Sequence, residues 1–135
     1  MIKANGKVYL SWDDIEQSVN QLCEYINKSE LKITAVTGVE RGGLIPAVMV
    51  SHKLNLPYIY SIDTTTLVID DICDTGETLN MLLTPLTAAL HYKPTAKHKP
   101  TFYAEEVGNE WIVYPWERKD SKPIQDYLAF PNIKD

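Results

Sequence analysis

An α/β layer fold with a mainly parallel sheet flanked by helices is the architecture this sequence predicts, on three observations. Short β-branched apolar runs alternate along the chain with helical patterns. Two of those runs end in turns rich in Gly, Asp and Thr that lead straight into a helix. The length of 135 residues, with 44% apolar and 23% charged content, suits one ordinary domain spanning 1–135 and able to bury its own core.

The elements follow in order. Ser11-Trp12-Asp13-Asp14 has the form of a capping box, and Ile15, Val19, Leu22, Cys23 and Ile26 repeat at helical spacing, predicting a helix over 13–28. The β-branched stretch 31–37 predicts a strand that ends in Gly38 and the loop Val39-Glu40-Arg41-Gly42-Gly43. Residues 44–54 read as a helix with Pro46 tolerated in its first turn. Strands are expected over 58–62 and 66–71. Cys73-Asp74-Thr75-Gly76-Glu77-Thr78 then opens a short helix over 79–83, stopped by Pro85. Further strands are expected at 87–92, 101–104 and 111–113, ahead of an irregular tail.

Composition narrows the function. A net charge of −5 argues against non-specific nucleic-acid binding, although 91–99 holds three lysines and two histidines. Glu105, Glu106, Glu110 and Glu117 offset that run, so no nucleic-acid partner is expected. No apolar run approaches the ~20 residues of a membrane span, and the first residues carry no leader-like apolar segment, so a cytoplasmic protein without membrane partners is expected. Cys23 and Cys73 stand fifty positions apart, which suggests neither a disulfide framework nor a CxxC site. His52, His91 and His98 are too scattered for a metal triad. Cys73 sits between acidic residues that raise a thiol pKa, so it is not expected to be a nucleophile. Walker, dinucleotide-binding, zincin and nucleophile-elbow motifs are all missing.

The chemistry is expected at the two strand–loop–helix units, since ligands in open α/β sheets bind at the carboxyl ends of strands. In the first, Gly42 and Gly43 allow close backbone approach and Arg41 carries a guanidinium suited to phosphate oxygens. Taken alone, this loop also reads as a solvated turn. In the second, Leu67, Val68 and Ile69 deliver Asp70 and Asp71 to the sheet edge, where they could hold a hydroxyl pair or Mg²⁺. The turn from Asp74 through Thr75, Gly76 and Glu77 to Thr78 offers hydroxyls and main-chain N–H groups to a monoester phosphate. Its plain alternative is a helix cap.

An apolar strand ending Asp-Asp, then two residues, Asp-Thr-Gly and a second Thr, resembles the phosphoribosyl pyrophosphate (PRPP) motif of the type I phosphoribosyltransferases. Val39 to Pro46 is similar to that family's pyrophosphate loop. Trp111-Ile112-Val113-Tyr114-Pro115-Trp116-Glu117 resembles the base-binding hood of the small xanthine-guanine and hypoxanthine (6-oxopurine) members. The resemblance covers about residues 10–118 and implies a core over about 10–93 with a small C-terminal hood over about 94–118 and the tail.

It implies a Mg²⁺-dependent purine phosphoribosyltransferase of purine salvage. Such an enzyme moves the phosphoribosyl group of PRPP to hypoxanthine, guanine or xanthine, yielding a purine nucleoside monophosphate and pyrophosphate, and works as a homodimer or higher homo-oligomer. By the same resemblance, Asp70 and Asp71 bind the ribose hydroxyls directly or through Mg²⁺. Asp74, Thr75, Gly76, Glu77 and Thr78 cradle the 5-phosphate, and Asp74 also handles the proton on the purine N7. Glu40, Arg41 and Gly42 hold pyrophosphate in a loop where a cis peptide is to be looked for. Lys93 reads the 6-oxo group, Trp111 stacks on the base, and Ile112 and Val113 present main chain at its 2-position. Val113 leans the preference slightly towards hypoxanthine or guanine.

The sequence departs from the family in one place. Type I enzymes carry a long mobile loop between the second core strand and the strand of the PRPP motif, and here only Asp63, Thr64, Thr65 and Thr66 intervene. Four residues reach at most ~14 Å, too little for a parallel crossover. Either the strand at 58–62 runs antiparallel or is displaced, or the loop has been deleted, in nature, by engineering or from the recorded sequence. The alternative to an enzyme is a nucleotide-binding or regulatory module of the same fold that lacks the catalytic loop.

Overall fold

The computed structural model describes residues 1–81 and 85–120. Four parallel strands form the main sheet, in the order β3 (Ala35–Gly38), β4 (Thr66–Cys73), β5 (Thr87–Tyr92) and β6 (Phe102–Glu106). A second sheet holds β1 (Ile2–Ala4), β2 (Lys7–Tyr9) and β7 (Trp111–Val113), with β2 antiparallel to β1 and parallel to β7.

The main sheet is covered on both faces, as parallel sheets require. Successive β4 side chains alternate between two cores: Leu67 and Ile69 join α1 (Trp12–Lys28) and α2 (Leu44–Leu54), while Val68 packs with Leu79 of α3 (Glu77–Met81). In α1 the apolar residues at 15, 19, 22, 23 and 26 form the buried stripe. Its start is fixed by the reciprocal capping box, in which Asp14 N donates to Ser11 Oγ and Ser11 N to Asp14 Oδ2. Such caps are worth about 1 kcal/mol. Asn55 stops α2 in the left-handed conformation. Among the described residues no helix is long and apolar enough to cross a membrane.

Several expectations shift. The strand expected over 31–37 is confined to Ala35–Gly38, and α3 begins two residues before the expected 79. Residues 82 and 83 of that expected helix, and the tail 121–135, lie outside the described residues. The expected hood includes residues 101–104, yet β6 pairs with β5 in the main sheet. Its other strands come from the N-terminal hairpin, whose Asn5-Gly6 turn has positive φ at both residues. An Asn-Gly pair between short strands is the strongest local hairpin signal, and it is present in the sequence.

No strand forms over 58–62. Tyr58 makes one parallel bridge to Val36, on the side of β3 opposite β4, and Ile59 N donates to Val36 O at 3.0 Å. The chain must then return beneath β3 to start β4 beside Ala35. A built turn does this: Asp63 Oδ1 accepts from Thr65 N, Thr65 Oγ1 and Thr66 Oγ1, and Thr34 N donates to Thr65 O. Displacement, rather than antiparallel pairing, resolves the short connection.

Candidate functional site

The carboxyl ends of β3, β4 and β5 bring the two predicted loops together. Beyond Gly38, the loop 39–43 is pinned by Val39 N to Ile69 O at 2.9 Å and Gly43 N to Val39 O at 2.8 Å. The Glu40–Arg41 peptide is cis, as the resemblance led one to look for. Both side chains of that peptide are exposed. Gly42 lies against the Asp71 carboxylate so closely that a β-carbon there would overlap it. The first loop therefore touches the second motif.

Asp70 and Asp71 sit where β4 outruns β3, whose last pair is Gly38 with Ile69. Their carboxylates satisfy the local main chain: Asp71 N donates to Asp70 Oδ1 at 2.8 Å and Ile72 N to Asp71 Oδ1 at 2.7 Å. A hollow of about 230 Å³, open solvent included, is lined by Asp70, Ile72, Cys73, Asp74, Thr75, Gly76, Thr78 and Leu79. Gly76 has φ +79° and the His98 backbone stands where its β-carbon would be, so the turn needs glycine twice over. Lys97 is tied to the turn, with its N donating to Thr75 O at 2.8 Å and its Nζ 2.9 Å from Glu77 Oε1.

Lys93 leaves the end of β5 buried, with Nζ 3.3 Å from Asp74 Oδ1 and 5.9 Å from the centre of the Trp111 ring. Cys73 is buried, and burial with the Asp70 and Asp74 charges pushes its thiol up to about 12, which agrees with excluding it as a nucleophile.

Solved structures superpose on the chain as a whole. A purine phosphoribosyltransferase from Pyrococcus horikoshii superposes with a TM-score of 0.75 at 27% identity, over 89% of this chain and all of that one. The xanthine-guanine-hypoxanthine phosphoribosyltransferase of Helicobacter pylori gives 0.72 at 22%, over 82% and 94%. The chain has the type I phosphoribosyltransferase fold. In sequence it resembles the xanthine-guanine phosphoribosyltransferase of Idiomarina loihiensis, at 26% identity over 144 aligned positions that cover 84% of this chain and 89% of the relative. No protein-family model matches the chain.

Within the phosphoribosyltransferase fold, the residues expected to act together are gathered in three groups: Gly42 with Asp71, the turn 74–78 below Asp70, and Lys93 between Asp74 and Trp111. Ile112 and Val113 are both buried, and Ile112 joins the main core. Their main chains differ. Trp111 N donates to Gly6 O at 3.2 Å and Val113 O accepts Leu10 N at 3.0 Å, so 111 and 113 face β2. By alternation, the Ile112 main chain faces the opposite edge of β7.

Two neighbours of this site were not singled out in the sequence. Tyr114 and His91 are buried, and Tyr114 Oη donates to Asp71 O at 3.1 Å while lying 2.8 Å from His91 Nδ1. Nothing in the local pattern marks either. His91 occupies an ordinary inward position of a fully buried strand, and Tyr114 lies within the hood motif as one of its three aromatics.

Proposed function

We propose that this chain is a purine phosphoribosyltransferase that transfers the phosphoribosyl group of PRPP to a 6-oxopurine base and releases pyrophosphate. The observation that carries the reading is the convergence of a paired-carboxylate strand end, a Thr-Gly turn and a Lys–Asp pair beside a tryptophan on one edge of the sheet.

In this reading the turn 74–78 takes the 5-phosphate through main-chain N–H groups and the Thr75 and Thr78 hydroxyls. Asp70 and Asp71 take the ribose hydroxyls, and Arg41 with the 40–42 main chain holds pyrophosphate. Trp111 covers one face of the base, Lys93 donates to its 6-oxo oxygen, and the Ile112 main chain reaches its 2-position in preference to Val113. As the bond from C1 to pyrophosphate breaks and the purine nitrogen bonds to C1, the carboxylates near the ribose favour the developing positive charge. Asp74 accepts the proton that the base loses, and Lys93, with Nζ 3.3 Å from Asp74 Oδ1, holds that carboxylate in place.

The residues fit Mg²⁺ carried in with the substrate. The Asp70 and Asp71 carboxylates are each held by a main-chain N–H, and no cluster of three or more His, Cys, Asp or Glu side chains joins them among the described residues. Such a set suits a magnesium ion that shares substrate oxygens and water. Bound there, it would offset charge on the departing pyrophosphate. The oligomeric state expected is a homodimer or higher.

Asp74→Asn tests the assignment of the proton: kcat should fall far more than affinity for the product nucleotide, and an equal loss of both would contradict it. A second reading, a nucleotide-binding module of the same fold without turnover, is favoured by the built turn at Asp63–Thr66. The 144-position alignment is longer than the 135-residue chain, so part of the relative has no counterpart here.

A further inference from the structure

The end of β4 is held by an unusual partner. Past Gly38 the sheet gives Asp71 no neighbour on the β3 side, and the main-chain groups there are satisfied by side chains. The carbonyl of Asp71 accepts from the phenol of Tyr114, 43 residues away on the segment that follows β7. Because that phenol has one proton and gives it to Asp71 O, its contact with His91 Nδ1 at 2.8 Å requires the imidazole to donate. A directed chain results, from His91 Nδ1–H to Tyr114 Oη–H to the Asp71 carbonyl.

Each member is fixed independently. Tyr114 is 2% exposed and stacks on Trp116 with centroids 4.9 Å apart and ring planes 9° from parallel. Its main-chain N donates to Glu117 Oε1 at 2.7 Å. His91 is 2% exposed, on β5 in register with Ile72.

We infer that Tyr114 is a positioning residue for the Asp70–Asp71 carboxylate pair: it ties the hood segment to the β4 end and so fixes where the two carboxylates present themselves to a ribose ring. This inference rests on the assignment of Asp70 and Asp71 to the ribose hydroxyls. Tyr114 itself is 2% exposed and bonded through the main chain of Asp71, so it acts through that residue. A carboxylate shifted by a fraction of an ångström loses the hydroxyl geometry while leaving phosphate and base contacts alone.

The test compares binding of guanosine 5′-monophosphate and its 2′,3′-dideoxy analogue, with Mg²⁺, to the full chain. The wild-type protein should prefer the hydroxylated nucleotide. Tyr114→Phe removes one oxygen and keeps the stacked ring, and should weaken the hydroxylated nucleotide about fivefold, the worth of one hydrogen bond, with the dideoxy analogue unchanged. His91→Leu breaks the same chain without altering Tyr114, and should narrow the preference in the same direction if the Phe variant does not fold. A wild-type preference that both variants retain would overturn the role of Tyr114 alone. Equal weakening of both nucleotides would also overturn it, as a merely structural effect. A wild-type protein that binds the two nucleotides alike would overturn the ribose assignment and this inference with it.

Discussion

The Nζ of Lys93 lies 3.3 Å from Asp74 Oδ1, and the two side chains are only 10% and 19% exposed. Removing one member of such a pair strands the other in a poorly hydrated place. Lys93→Met should therefore destabilise the protein by about 2 kcal/mol, somewhat less than for a fully buried pair. The double variant Lys93→Met with Asp74→Asn should recover part of the loss. Denaturant unfolding of the four proteins measures the coupling, and strictly additive losses would show that there is none.

Gly42 meets the Asp71 carboxylate where a β-carbon would stand. In Gly42→Ala either the loop or the carboxylate must move, and both belong to the proposed PRPP site. Affinity for PRPP with Mg²⁺, followed by calorimetry, should fall by about one to two orders of magnitude while the fold persists. Unchanged affinity would mean that the contact does not position the carboxylate.

Both thiols should be unreactive in the folded protein. Cys23 is buried and its pKa is raised by that burial, and Cys73 is pushed up to about 12 by burial and the charges of Asp70 and Asp74. At pH 8 a thiol-exchange reagent should modify neither cysteine, and should modify both after unfolding. Rapid labelling of Cys73 in the native protein would contradict this burial.

Burial also lowers the His91 pKa from its ordinary 6.5 to about 4. Above pH 6.5 the ring is neutral in both folded and unfolded chains. Between pH 6.5 and about 4 only the unfolded chain takes up the proton, so stability falls as pH falls, by about 1.4 kcal/mol per unit from this group. His98, lowered by burial as well, acts in the same sense. Thermal unfolding from pH 7 to 4 should show the loss, and His91→Leu should flatten it.

The sequence made the helices and the Asp-Asp strand legible because each carries its own local signal: the capping box of Ser11 and Asp14, the 3.6-residue stripe of α1, and the apolar run before Asp70. What it concealed depends on tertiary partners. The segment 58–62 has strand composition, but the turn built on Asp63 pulls the chain back after one bridge. The N-terminal hairpin was marked by Asn5-Gly6, yet its pairing with β7 joins residues 104 positions apart, such as Lys7 and Trp111. Likewise, the residues of the two loops could be identified from their types and spacing. The link from His91 through Tyr114 to the Asp71 carbonyl could not, since a main-chain acceptor leaves no trace in the sequence of its donor.

Product formation tests the central claim most directly. The chain is incubated with PRPP, Mg²⁺ and, separately, guanine, xanthine and hypoxanthine, and nucleotide and pyrophosphate are quantified. The account predicts purine nucleoside monophosphate and pyrophosphate in equal amounts with at least one of the three bases, and none when Mg²⁺ is chelated. No nucleotide from any base, with binding of a purine monophosphate retained, would contradict it and leave a binding module in its place.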